Sequence, residues 1–510
     1  MNFSKSKYFS FWQCPKKLWL ETYKASEREP DDPSTLARME SGTEVGRLAH
    51  QLFPQVIDIT TRRPDGSLDL QAMVARTQQE MAAGTPVIAE AAFLHDGCYC
   101  AVDMLERTAD GWAIHEVKSS CYPETEDKKF ELKKYAPDIA FQKWVLTQCG
   151  VNVTGTFLRC LNATYVRHGA LDVLQLFVNI DMHEMVEEEL LKVPANVATA
   201  KRMLSDSENV PAIDLSGNCN KPYPCPFLTY CKRQQGVPAD KPTVFDLYRM
   251  SMGKKTEHFN AGRVTFEDMR GEKLNDTQRL QLECTLNHTE HIDRDDIRRF
   301  LDTLRYPLYF LDFETMQFAL PQYDDSKPYQ QITFQYSLHV VKNPNTLCKK
   351  KGYGYLAPSD GSDPRRKLAE NLCKKIPMGA CTVVYNDTFE KSRLKEMAEI
   401  YPDLRDHLLS IRDGICDLLV PFRAGHYYLP AMGGSFSIKS VLPALFPNDP
   451  DLDYHNLPGD VHNGGEAMTI FPLIQSMSLA EAKAARQSLL EYCNLDTWAL
   501  VKVWDKLMHV

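Results

Sequence analysis

The chain has 510 residues, of which 43% are hydrophobic and 25% charged, and its net charge is −9. That length exceeds what a single core usually supports and predicts two domains plus a connector; no apolar run is long enough to cross a membrane. The acidic balance excludes a globally basic nucleic-acid wrapper but not a nuclease, because phosphate needs only a local basic stripe and metal-holding carboxylates make such enzymes acidic overall.

The start, MNFSKSKYFSFWQCPKKLW, carries charges without the continuous apolar core of a signal peptide, which implies a cytoplasmic protein. Residues 1–235 read as one domain. Within it PVIAEAAF, CYCAVDML and WAIHEVKS are predicted strands, with turns at Asp96-Gly97 and Asp110-Gly111. A helix-period stretch from Ile139 to Cys149 and a strand, TGTFLRCL, follow, giving a mixed α/β core. Asp103 ends one strand; thirteen residues on, Glu116 and Lys118 alternate onto one face of the next. Of fifteen cysteines, eleven are scattered singly and read as small core residues. The other four are Cys14 near the start and Cys219, Cys225 and Cys231, which close the domain as C-x5-C-x5-C. This spacing is looser than the tight pairs of structural zinc sites, and on spacing alone zinc, an iron–sulfur centre and free thiols all stay open.

Residues 236–303 carry no strong strand signal and read as a helical connector. From Pro307 the pattern restarts, and 304–510 is the second domain. PLYFLDFET, ITFQYSLHVV and CTVVYND are predicted strands, and LLEYCNLDTWALVKVWDKL is a closing helix. Asp312 and Glu314, at i and i+2 on a strand, face the same way. Asn386 is followed four residues later by Glu390, and Tyr492 and Asp496 share a helix face at i, i+4. Phosphodiester hydrolysis on two metals needs several carboxylates converging on ions ~3.5–4 Å apart.

Taken in order, these three motifs resemble those of the DnaQ-like (DEDD) exonucleases in their tyrosine, DEDDy, version. The resemblance implies an RNase H-like domain in which Asp312, Glu314, Glu390 and Asp496 hold Mg²⁺ or Mn²⁺ while Tyr492 orients the attacking water. Glu390 stands where the family usually has Asp, Asp387 is its rival, and Asp417 resembles a further supporting acid. The longer stretch from YPLYFLDFET to GSFSIKSVLPAL also resembles an uncharacterised C-terminal domain family that accompanies RecB-like nucleases.

The first domain resembles the RecB-like PD-(D/E)xK nucleases, which have a restriction-endonuclease-like fold. That implies Asp103 and Glu116 as metal ligands, Lys118 near the scissile phosphate, Gln142 as the helical glutamine and His50 as a metal-binding histidine; Glu90 is a further acid or a strand-end charge. One early and three late cysteines resemble the iron–sulfur members of that group, including AddB and the CRISPR-associated RecB-like exonucleases. In that reading Cys14, Cys219, Cys225 and Cys231 hold a [4Fe–4S] cluster. Together the resemblances imply a metal-dependent exodeoxyribonuclease of DNA repair, recombination or defence. The tyrosine motif also resembles RNase D, which keeps an RNA-processing exonuclease as an alternative; a nucleic-acid-binding scaffold with inactive sites is another. No G-x-x-x-x-G-K-[ST] stretch is present, so any unwinding would come from a separate helicase.

Overall fold

The runs of aromatic, aliphatic and β-branched residues after Thr85 fold as strands that are buried over consecutive positions, and so on both faces. Asp96 and Gly97, with φ of 46° and 70°, supply the two left-handed residues that a tight hairpin between the first two of these strands requires. In this computed structural model, which describes residues 3–31, 33–122, 126–346 and 348–510, the chain divides into two compact units of mixed α/β structure. Among the described residues no helix is long and apolar enough to cross a membrane.

The first unit comprises Met1–Val237, Met252–Thr256 and Phe318–Tyr329. Its seven strands are β1 (Phe3–Ser4), β2 (Val56–Asp58), β3 (Val87–His95), β4 (Cys98–Arg107), β5 (Trp112–Tyr122), β6 (Val153–Asn162) and β7 (Phe177–Asp181). The sheet order is β2-β3-β4-β5-β6-β7, with β1 added in parallel to β4. Helices Lys5–Gln13 and Ala136–Gln148 pack together, Tyr8 stacking on Phe141 at 4.9 Å between ring centroids. Segment 318–329 lies far along the chain yet belongs here. Arg167 donates to the carbonyls of Pro321 and Gln322, and Ala319 and Leu320 are buried with Val45, Leu161 and Phe177.

The second unit holds Pro238–Ser251, Glu257–Gln317 and Gln330–Val510. The stretch read as a connector is helical over Met252–Asn260, Asp276–Asn287 and Arg294–Leu301, but most of it belongs to this unit instead of standing apart. Here β8 (His291–Ile292) pairs with β14 (Tyr427–Tyr428). The main sheet has the order β11-β10-β9-β12-β13, from β9 (Leu308–Gln317), β10 (Gln331–Val341), β11 (Tyr353–Leu356), β12 (Cys381–Val384) and β13 (Ile415–Asp417). β10 and β11 are antiparallel additions; β9, β12 and β13 are parallel. The 30-residue helix Leu479–Met508, opened by a Ser478–Glu481 capping box, packs on β9 and β10.

Candidate functional site

In the second unit the parallel pairing of β9 with β12 ends at Phe310 opposite Val383, so Asp312 and Glu314 extend past it at the carboxyl ends of the parallel strands. Open α/β sheets present ligand sites at that end, where the loops diverge. The loop after β12 turns at Asn386, whose φ of 70° is one that Asn tolerates, and enters helix Thr388–Ile400. That places Glu390 in the first turn, 3% exposed, with Oε2 lacking any hydrogen-bond partner among the described residues. Helix Leu479–Met508 delivers Tyr492 and Asp496. It is tied to β10 by Gln335 donating to the Leu489 carbonyl at 2.8 Å and by the His339–Thr497 hydrogen bond at 2.8 Å. A Cβ on Gly464 would lie 3.7 Å from Glu314 Oε2 and 3.9 Å from the Tyr492 hydroxyl, so both groups face the same small residue.

The structure brings Asp312, Glu314, Glu390 and Asp496 into one electrostatic group. Burial, then Asp496, Glu314 and Glu390, pushes the Asp312 carboxyl well above the usual range; burial and Asp496 do the same to Glu314 against a weaker pull from Lys439. Burial lifts Asp496 to about 6, restrained by hydrogen bonds from Tyr454 and Tyr492, and lifts Glu390 to about 8. Such a group stays protonated or takes up cations. Asp387 is paired to Lys391 at 2.5 Å and is more exposed, so of the two rivals Glu390 is the one aimed inward. Asp417 is already saturated: it accepts the amides of Asn386 and Leu419 and pairs with Arg423 at 2.8 Å, which makes it a clamp on the turn that carries Glu390.

Three residues here were not read from the sequence. Tyr454 donates to Asp496 Oδ1 at 2.6 Å, Cys493 Sγ lies 4.0 Å from Asp312 Oδ2, and Lys439 is the cation nearest in effect to Glu314 and Asp496. Lys439 and Tyr454 also line a cavity of about 910 Å³ with Phe446, His462 and Asn463. Cys493 sits inside the Tyr-x-x-x-Asp spacing and was within reach of pattern reading; Lys439 and Tyr454 have no local signature.

In the first unit, β4 and β5 stay paired only as far as Met104 opposite His115. Beyond that point the strands part, and Asp103 Oδ2 accepts the Val117 amide at 2.7 Å that the ladder leaves free. Glu116 is 1% exposed and carries four contacts. Lys118 reaches Oε1 at 2.7 Å, Gln142 reaches Oε2 at 2.7 Å, and Lys5 reaches both oxygens. Glu90, opposite Asp103 between the Ala89–Met104 and Ala91–Val102 pairs, has φ of 58°, a strained value for a non-glycine in a strand. Against the upward push of burial, Lys118 and Lys5 hold the Glu116 carboxyl well below its usual range. Burial and the neighbouring acids lift Asp103 to about 6 and Glu90 to about 7. Asp103, Glu116, Lys118 and Gln142 thus come together, and Lys5 and Asp138 join them. His50, half-buried just after helix Pro33–Ala49, accepts the Phe53 amide on its carbonyl, and its imidazole has no hydrogen-bond or ion-pair partner among the described residues.

The four singled-out cysteines, up to 217 positions apart, line one small apolar cavity of about 20 Å³ with Leu20, Ile213, Leu215 and Leu228. The wall behind them is Trp19, Phe227 and Tyr230. All are free thiols; burial raises Cys219 and Cys231 and pushes Cys225 up to about 11. Among the described residues no three of these sulfurs lie mutually within 4.8 Å. Tetrahedral zinc, with bonds of about 2.3 Å, would hold its sulfurs about 3.8 Å apart.

Residues 309–437 match the model of a family described as a domain of unknown function (DUF2779), a range that contains Asp312, Glu314, Glu390 and Asp417 but stops before Tyr492. The chain is similar to uncharacterised proteins of Mycoplasma pneumoniae (26% identical over 207 residues, 38% of this chain and 31% of the relative) and Mycoplasma genitalium (24% over 209, 38% and 31%). An uncharacterised protein of Ureaplasma parvum is 28% identical over 156 residues, 29% of this chain and 22% of the relative. The chain thus spans less than a third of the length of each of these relatives. No solved structure matches the chain.

Proposed function

We propose that the chain is a metal-dependent nuclease that hydrolyses phosphodiester bonds of nucleic acid, DNA in preference to RNA. Its principal site is a 3′–5′ exonuclease centre of the DEDDy type in the second unit, with a RecB-like PD-(D/E)xK centre in the first. The observation that carries this reading is the electrostatic grouping of buried Glu314 and Glu390 with half-buried Asp312 and Asp496, together with a buried carboxylate oxygen of Glu390 that has no hydrogen-bond partner among the described residues. That donor set, all hard oxygen and short of positive charge, fits Mg²⁺ or Mn²⁺. Two such ions, when bound, would neutralise the developing phosphorane charge and supply an activated water.

The chain's own residues have distinct tasks in this reading. Asp312, Glu314, Glu390 and Asp496 would hold the ions. Tyr454 occupies one Asp496 oxygen and fixes the direction of the other. The Tyr492 hydroxyl, held neutral by burial and the surrounding acids, would orient the water. Lys439 stands where the cavity meets the acids and would meet a backbone phosphate. In the first unit Asp103 and Glu116 would be the ligands and Lys118 the phosphate-side cation. In this reading the four thiols, no three of which lie mutually within 4.8 Å among the described residues, would hold a [4Fe–4S] cluster in preference to zinc. Incubation of the full chain with end-labelled single- and double-stranded DNA and RNA, in Mg²⁺, Mn²⁺ or EDTA, tests the reading. Shortening from 3′ ends should need metal and favour 2′-deoxy substrates; undiminished digestion in EDTA would refute it.

A further inference from the structure

The first unit places a second lysine on the Glu-x-Lys carboxylate. Lys5 Nζ lies 3.0 Å from Glu116 Oε1 and 3.2 Å from Oε2, so it bridges the two oxygens. Lys118 and Gln142 each meet one oxygen only. A charge at nearly equal distance from both oxygens lies close to the plane that bisects the carboxylate, the plane in which a divalent ion held by both oxygens also lies. With four donor contacts in place, Glu116 has little lone-pair capacity left for a further cation.

The backbone that carries Lys5 is anchored on several sides. Ser4 caps helix Lys5–Gln13, and β1 pairs with β4 through Phe3 opposite Cys98. At the other end Gln13 donates to the carbonyls of Asn218 and Tyr223. What can move is the side chain, a four-carbon stem ending in a compact charge, 22% exposed. Asp103 and Glu90 add negative charge beside the same spot.

We propose that Lys5 is a tethered placeholder for the divalent cation of the first unit: its ammonium holds the ion's position on Glu116, must be displaced before Glu116 can become a ligand, and is then free to meet the phosphate that arrives with the ion. This rests on the reading of Asp103 and Glu116 as a metal centre. Two consequences follow from competition for the same oxygens. Lys5 lowers the affinity of the empty site for metal, and a nucleic-acid phosphate, by giving the displaced ammonium a partner, makes metal and nucleic acid bind cooperatively.

Mn²⁺ binding to the full chain, followed by electron paramagnetic resonance without nucleic acid, tests this apart from activity. The site that Glu116→Gln removes is identified first and then titrated in Lys5→Met, which keeps most of the stem's length. Mn²⁺ should bind that site roughly tenfold or more tightly in Lys5→Met, the size of one charge-assisted hydrogen bond lost from the competing state. Lys5→Arg, whose planar fork grips a carboxylate with two donors, should move the other way. It keeps the charge and serves as the check if Lys5→Met does not fold. Unchanged or weaker Mn²⁺ binding in Lys5→Met, or tighter binding in Lys5→Arg, overturns the placeholder role while leaving the metal centre in place. If Glu116→Gln removes no Mn²⁺ at all, the metal centre of the first unit falls, and Lys5 is a fixed counter-ion.

Discussion

The two carboxylate groups answer the same electrostatic difficulty in opposite ways. In the first unit Glu116 is deeply buried but flanked by Lys5 and Lys118, and its carboxyl stays ionised far below the ordinary range. In the second unit Glu314 is buried and Asp312 half-buried against further acids, with Lys439 the one cation acting on Glu314 among the described residues, and both are driven far above it. One site carries its cations on the chain; the other has a deficit that outside ions would fill. An acid motif in a sequence says that carboxylates gather, but the placement of lysines decides whether they are charged before metal arrives.

The largest effect expected is in the second unit. Asp312→Ala should lower 3′–5′ exonuclease turnover by roughly 10³-fold or more, because one ion of a two-metal site loses its anchor. Tyr492→Phe, which keeps the ring, should leave substrate binding intact and lower turnover by ~10²–10³. Wild-type digestion of 3′ ends by both variants would break the contrast at its root.

Cys225→Ser asks whether the first unit depends on its thiols as well as its lysines. Anaerobically purified protein should be brown, and this variant should be bleached and less stable by several kcal/mol, since a bound centre contributes its binding free energy to the fold. A colourless wild-type protein with stoichiometric zinc would overturn the cluster.

The response to pH sharpens the comparison. Glu390 at about 8 and Asp496 at about 6 have folded values above their ordinary ones. Their stabilising contribution is complete below the ordinary carboxylate range and is lost as pH rises through 6 to 8. Metal-free second unit should therefore lose several kcal/mol between pH 5 and 8, and Mn²⁺ should restore it at the higher pH. In the first unit the depressed Glu116 is flat over this window, since it loses stability only as pH falls below the ordinary range, and Asp103 and Glu90 act in the same sense as Glu390 and Asp496 but with a smaller combined shift. Its slope should be shallower, as thermal melts at several pH values can check; equal slopes would remove the distinction.

The smallest effect belongs to Asp387→Asn. It breaks an i, i+4 pair with Lys391 worth about 0.5 kcal/mol and should leave turnover within about twofold of wild type. Glu390→Gln should instead resemble Asp312→Ala, and the reverse pattern would reassign the ligand.

What the sequence determined by itself is local. Runs of apolar, aromatic and β-branched residues marked β3, β4, β5, β6, β9, β10 and β12, and the i, i+2 and i, i+4 spacings put Asp312 with Glu314 and Tyr492 with Asp496 on shared faces, because side-chain direction follows from backbone period alone. Tertiary structure decided the rest. Lys5 meets Glu116 across 111 residues because Tyr8 stacks on Phe141 and draws the first helix onto the one that carries Gln142. Tyr454 meets Asp496 from a three-residue 3-10 turn, Tyr454–Asn456, too short to carry a periodic signature; segment 318–329 belongs to the first unit, and the turn amides make Asp417 a clamp. None of these has a periodic signature, since contacts between distant segments depend on how helices and sheets pack once formed, and the charge on each buried carboxylate depends on that packing in turn.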